Sequence, residues 1–287
     1  MHTEPRNEPI AVQLAELLND VGRLADAYFY DGQMDAAMQV FEASAHLLDL
    51  AEARPHDALG FLLRYGKLAA QHGRHTRIGF VKAFELAQRT TSVAESSGDS
   101  ASIAAALDLT GLVHYYEALD ADPADFSTAN GYFQRALQLI ETTSEVPTKT
   151  RFDVLFHVGL VYQMNEALAE AGQFFERAYN LALANGLRYE QAGAARHRGY
   201  VAYVASDFES ARRYYAEVVA IHDEIGFRAF QPYSLIALGE LHRELGEIDA
   251  ARTDLERAAE MARQMGIQRV AESADAALAQ LEQATSV

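Results

Sequence analysis

The chain has no cysteine and no tryptophan, and only 6 prolines among its 287 residues. Without cysteine there are no disulfides, no thiolate metal ligands and no cysteine nucleophile. Few prolines, 49% hydrophobic content and 23% charged content exclude a disordered or low-complexity chain. Positive charge is short as well: 24 Lys and Arg against 41 Asp and Glu leave a net charge of −17. No basic run concentrates what there is, so a phosphate backbone would be repelled and nucleic acid is not an expected partner. No stretch approaches the roughly 18 apolar residues that a membrane span needs. The opening "MHTEPRNEPIAVQ" lacks a basic segment followed by an apolar core. The expectation is a cytoplasmic protein without a membrane partner.

What the chain does have is repetition. Gly186, Gly226 and Gly266 recur every 40 residues, each after a helical run and before an apolar residue. Glycine there closes a helix through a left-handed turn that a Cβ would disfavour. With residues 152–191, 192–231 and 232–271 superposed, Gly159, Gly199 and Gly239 align, as do Ala171, Ala211 and Ala251. So do Phe175, Tyr215 and Leu255, then Ala178, Val218 and Ala258, and upstream Leu155, Ala195 and Leu235. Spacings of three and four mark one face of a helix, a turn, and one face of a second helix. Glycine inside the first helix costs about 1 kcal/mol relative to alanine, which is offset if the bare backbone admits the second helix closely.

The template extends backwards. Ala25, Tyr28, a turn at Asp31 and Gly32, then Ala37, Phe41 and Ser44 fit it well. Gly111, Ala129, Phe133 and Ala136 fit with a longer turn around Asp122 and Pro123. Residues 57–98 fit least: Gly66 takes the small position, but "HGRHTRIGFVKAFELAQ" needs its own spacing.

The helix pairs in "LFHVGLVYQMNEALAEAGQFFERAYNLAL" and "LIALGELHRELGEIDAARTDLERAAEMA" resemble the tetratricopeptide repeat family over residues 18 to 266. The chain departs from that pattern in lacking tryptophan, its place held by Leu155 or Leu235, and in a period of 40 rather than about 34. The resemblance implies an all-α, right-handed solenoid, made here of six helix pairs spanning 18–56, 57–98, 101–145, 152–186, 192–226 and 232–266. It forms less than one superhelical turn and a single domain over 1–287. Similar long repeats are implied in bacterial peptide-sensing regulators, response-regulator phosphatases, transcriptional activators and polarity scaffolds. Residues 268–284 place Val270, Ala274, Ala277, Leu278 and Leu281 on one stripe and read as a capping helix over the last repeat.

Catalytic signatures are missing. "GFLLRYGKL" (Gly60 to Leu68) has five residues between its glycines and a leucine where a phosphate loop places a hydroxyl, and it reads as helix. "HGRH" puts His72 and His75 in a turn, most simply as surface residues, since no third metal ligand stands near. His157 and His197 are equivalent across 40 residues and are expected side by side, as a polar pair or a ligand contact. No metal and no cofactor are expected.

In a stack of such pairs the first helices line the concave side. The residues turned away from the packing stripe there are unusually aromatic: Tyr30, Tyr115, Tyr116, Phe156, Tyr200, Tyr203 and Tyr233, with Lys67, Gln163, Arg196, Glu240 and Arg243 among them. Either these rings pack between neighbouring helices, or they pave a groove for a partly apolar ligand whose acidic group meets Lys67, Arg196 or Arg243. Tyr115, Tyr116, Phe156, Tyr200 and Tyr203 are expected to converge as one floor beside Arg196, since stacked helices lie about 10 Å apart. The carboxylate clamp of chaperone-binding members is absent: its places hold Gly22 with Asp26, Leu63 with Lys67, and Phe156 with Leu160. The function expected is therefore a non-enzymatic adaptor or sensor taking a peptide, a protein segment or a small molecule. The alternative is an enzyme or biosynthetic accessory protein using the same groove as its active-site cavity.

Overall fold

The computed structural model describes residues 9–50 and 53–285. The parts of the expected first repeat, domain span and chain ends at 1–8, 51–52 and 286–287 lie outside the described residues. Helices follow one another in antiparallel pairs: α1 (Ile10–Tyr30) with α2 (Met34–Ser44), and α3 (Pro55–Thr76) with α4 (Val81–Ser97). Then come α5 (Ser100–Leu119) with α6 (Ser127–Thr142), α7 (Thr148–Met164) with α8 (Leu168–Ala184), and α9 (Arg188–Val204) with α10 (Phe208–Ile225). The last pair is α11 (Gln231–Glu244) with α12 (Ile248–Gln264), followed by α13 (Gln268–Thr285). This is an all-α solenoid.

The mid-helix glycines set the pairing. A Cβ built on Gly159 would stand 2.7 Å from the ring of Phe175, on Gly199 2.5 Å from Tyr215, and on Gly111 2.6 Å from Phe133. Each bare backbone is thus the seat of a ring from the second helix, and Phe133 and Phe175 are fully buried. Burying one such side chain stabilises the pair by about 1.5–3 kcal/mol, more than the glycine costs in helix propensity. The 40-residue period also reaches the backbone of the turns within pairs. Glu166, Ser206 and Gly246 all have φ between 61° and 74°, although glycine occupies only one of the three places.

The second pair departs from the template. Gly66 seats Leu109 of α5 rather than a side chain of α4, with a Cβ 2.6 Å away. The "HGRH" segment is not a turn, because α3 continues to Thr76 and the chain reverses only after Arg77, whose φ is 61°. His72 and His75 are not surface residues but are 8% and 5% exposed. Gly73 allows this, since its Cβ would fall 2.3 Å from the carbonyl oxygen of Gly79.

The two ends of the stack meet, where less than one superhelical turn was expected. The backbone N–H of Arg228 donates to the carbonyl of Tyr30 at 2.7 Å. Phe29 packs edge-on against Phe227 and Phe230, at 5.7 Å for each pair of ring centres. Arg77 pairs with Glu272 on α13 at 2.6 Å, and Arg269 pairs with Asp120 at 2.6 Å. The first three pairs therefore meet the last pair and α13 across the axis, and the inner face becomes a lumen bounded on both sides.

Candidate functional site

Arg196, Tyr200 and Tyr203 recur along α9 at spacings that keep them on one face, and Tyr233, Ile236, Ala237 and Glu240 do the same along α11. Together with Tyr215 from α10 and Arg269, Val270 and Ser273 from α13, they line a half-open cavity of about 330 Å³. That is the scale of a small-molecule site, with Ile236, Ala237 and Val270 as its apolar patch among tyrosines and charged side chains.

Arg196 is its distinctive member. Its guanidinium donates to Nε2 of His197 at 2.7 Å, and no carboxylate lies within ion-pair distance of it among the described residues. His197 is fixed by that bond: with Nε2 accepting, Nδ1–H donates to the side-chain oxygen of Gln163 at 2.8 Å. Burial, followed by the charge of Arg196, pushes the His197 pKa well below the ordinary histidine value, so the ring is a neutral relay. Burial also lowers Arg196, while the phenols of Tyr215, Tyr233, Tyr115 and Tyr116 act in the opposite direction. The same burial raises Tyr215 and Tyr233, which stay protonated donors.

A second stretch of the lumen is charged but self-neutralised. Lys149 donates to Glu190 at 2.6 Å, and Lys67 donates to Asp153 at 2.5 Å. Burial alone would raise Asp153, yet Lys149 and Lys67 hold it below the usual carboxylate range. Tyr30 stacks on Tyr189 with ring centres 5.8 Å apart and meets Phe227 edge-on at 4.9 Å.

Among the residues expected to bind, Arg196, Tyr200, Tyr203, Tyr233 and Glu240 share the cavity. Tyr115 and Tyr116 pack on each other at 5.7 Å, and Tyr115 also packs on Phe126 at 5.4 Å, within electrostatic reach of Arg196. Phe156 does not join that floor: it packs on Phe152, Phe175 and His197 between α7, α8 and α9. Lys67 is occupied by Asp153, and Arg243 by Glu244 at 2.9 Å and Gln280 at 2.8 Å, so neither is a free cation. His157 and His197 lie within electrostatic reach of each other and both pack on the Phe156 ring, at 5.7 and 5.1 Å, without a hydrogen bond between them. His157 is bound instead to Asp108 at 2.7 Å.

Arg269, Val270 and Ser273 escaped sequence reasoning because α13 reads as a cap, and Tyr215 because its place in the repeat is that of a packing residue. Another cavity, of about 380 Å³, lies between α1 and α3. Its Asp57 and Arg64 are already paired with Arg54 and Asp26, at 2.6 and 3.8 Å. Among the described residues no group of three or more histidines and carboxylates is placed to hold a metal, and no helix is long and apolar enough to cross a membrane.

Residues 232–265, which hold α11 and α12, match the tetratricopeptide repeat family. No curated protein sequence matches the chain. Among solved structures, the chain resembles a Rap protein complexed with Competence and Sporulation Factor, with a TM-score of 0.63 and 15% identity, over 94% of this chain and 71% of that one. It also resembles Bacillus thuringiensis PlcR, solved with the peptide PapR7 and DNA, with a TM-score of 0.58 and 10% identity, over 91% and 98% of the two chains. Aspartyl phosphate phosphatase F from Bacillus subtilis gives a TM-score of 0.53 at 12% identity, over 93% and 77%. At these identities the likeness is one of fold.

Proposed function

The chain is a solenoid of tetratricopeptide type, and from that premise we propose that it is a binding protein, an adaptor or sensor whose lumen holds the acidic end of a peptide or a small organic acid. The observation that carries this reading is Arg196, a half-buried guanidinium with no carboxylate within ion-pair distance among the described residues, in a cavity walled by Tyr200, Tyr203, Tyr215 and Tyr233. A desolvated cation without a counter-charge is costly, and a ligand carboxylate offsets that cost with two parallel hydrogen bonds. The tyrosines add apolar contact with polar tips, which suits a ligand that is part hydrocarbon. PlcR, of like fold, was solved with a peptide, which supports a binding role in general. The fold alone does not choose the ligand.

The absence of tryptophan makes the test direct, because tyrosine emission is not masked. Cyclohexylpropanoate and its neutral amide are titrated into the full chain while tyrosine fluorescence is followed. The acid is expected to bind and the amide to bind at least about tenfold more weakly, with the difference lost in Arg196→Gln. Equal binding of acid and amide would remove Arg196 as the anchor and the reading with it.

A further inference from the structure

Arg196 and Glu240 line one cavity, yet they pair neither with each other nor with another charge among the described residues. The nearest basic side chain facing Glu240 is Arg243, one turn along α11, and its guanidinium is already taken by Glu244 and Gln280. Glu244 and the phenols of Tyr203 and Tyr215 complete the titratable surroundings of Glu240. Around Arg196 stand His197, His222 and tyrosines, and Arg269, which also lines the cavity, is engaged by Asp120 at 2.6 Å. The phenol of Tyr215 is within electrostatic reach of both charges at once.

Holding two opposite charges in one half-open cavity without letting them meet costs part of the hydration of both. A purely anionic ligand would satisfy Arg196 but face the Glu240 carboxylate. A purely cationic one would satisfy Glu240 and face the guanidinium. One ligand class relieves both.

We infer that the cavity takes a zwitterion, its carboxylate on Arg196 and its ammonium on Glu240. The guanidinium offers a planar fork that matches a carboxylate, and an ammonium brings three donors for an acceptor-only carboxylate. Tyr200 and Tyr203, partly exposed in the lining, add aromatic surface beside the ammonium's place. A volume of about 330 Å³ limits what is enclosed to a free amino acid or to a very short peptide, which share this chemistry. The carboxylate half of the inference rests on the function proposed above; the ammonium half is independent of it.

The experiment uses the full chain and calorimetric titration. One series holds glycine, β-alanine, γ-aminobutyrate and ε-aminocaproate, which part the two charges by increasing lengths; a second holds the glycine dimer, trimer and tetramer. Each compound is compared with its N-acetyl derivative, an anion, and its amide, a cation. At one length the zwitterion is expected to bind at least about tenfold more tightly than either derivative. Glu240→Gln should abolish its advantage over the N-acetyl anion alone, and Arg196→Gln its advantage over the amide alone. The series in which that length falls tells the free amino acid from the peptide. If the N-acetyl anions bind as tightly as the zwitterions at every length, Glu240 takes no ammonium and the inference fails while the Arg196 anchor stands. That comparison is made on the unaltered protein, so it does not depend on either variant folding. If no compound depends on Arg196, both readings fall.

Discussion

The hydroxyl of Tyr233 on α11 is hydrogen-bonded to Nε2 of His75 on α3, across 158 residues of sequence. Tyr233 also lines the cavity beside Arg196, so one side chain belongs both to the closure of the solenoid and to its candidate binding site. Tyr233→Phe keeps the ring and deletes the bond, leaving a buried histidine nitrogen without its partner. The expected cost is about 1–3 kcal/mol in urea unfolding. A variant as stable as the parent would show that the bond contributes nothing to closure.

The seats for aromatic rings make a matched pair of substitutions informative. Gly159→Ala gains helix propensity but drives a methyl to 2.7 Å from the fully buried Phe175 ring, and overpacking outweighs the gain, for a net loss of about 1–2 kcal/mol. Gly131→Ala on α6 meets nothing within 4 Å and should stabilise by up to about 1 kcal/mol. Chemical denaturation of both variants checks the opposite signs.

Acid should weaken the protein through two buried histidines. Burial, then Arg74 and His72, depress the His75 pKa from 6.5 to about 4. Burial, then Arg196, depress His222 to about 4, against a small opposing effect of Asp223. The folded state keeps both rings neutral while the unfolded chain takes up their protons. The stability they confer is thus complete above pH 6.5 and lost as pH falls toward about 4, by roughly 3 kcal/mol for each at full protonation. Melting temperature followed from pH 7 down to pH 4 checks this, and His222→Leu should flatten the decline.

Removing α13 by ending the chain after Gly266 should uncover the faces of α11 and α12 on which it packs and break the Arg269–Asp120 and Arg77–Glu272 pairs. The expected result is aggregation or a marked fall in melting temperature. An unchanged melting curve would show that α13 neither caps nor closes the stack.

Much of this was legible in residue spacing, and the gaps have physical causes. Gly111, Gly159 and Gly199 marked where the second helix of a pair comes close, because pairing within a repeat is local. Arg196, Tyr200, Tyr203, Tyr233 and Glu240 could be placed on the inner face for the same reason. Closure could not be read, since it depends on a small rotation accumulated over all the repeats, and with it went the second role of α13 and its Arg269 and Ser273. Phe156 was misplaced because one step around a helix separates a groove residue from one wedged against Phe175 and His197. Glycine and histidine at 72–75 looked like a turn, whereas Gly73 serves a close approach between helix and loop.

The central claim is that Arg196 is an anchor for acid rather than a part of the core. Affinity for cyclohexylpropanoate and melting temperature are measured on the same preparations of the parent, Arg196→Gln and Phe156→Ala. Arg196→Gln should bind at least about tenfold more weakly while melting within a few degrees of the parent, and Phe156→Ala should lose stability while its folded fraction binds normally. An Arg196→Gln protein that is folded and binds the acid as tightly as the parent would contradict the account.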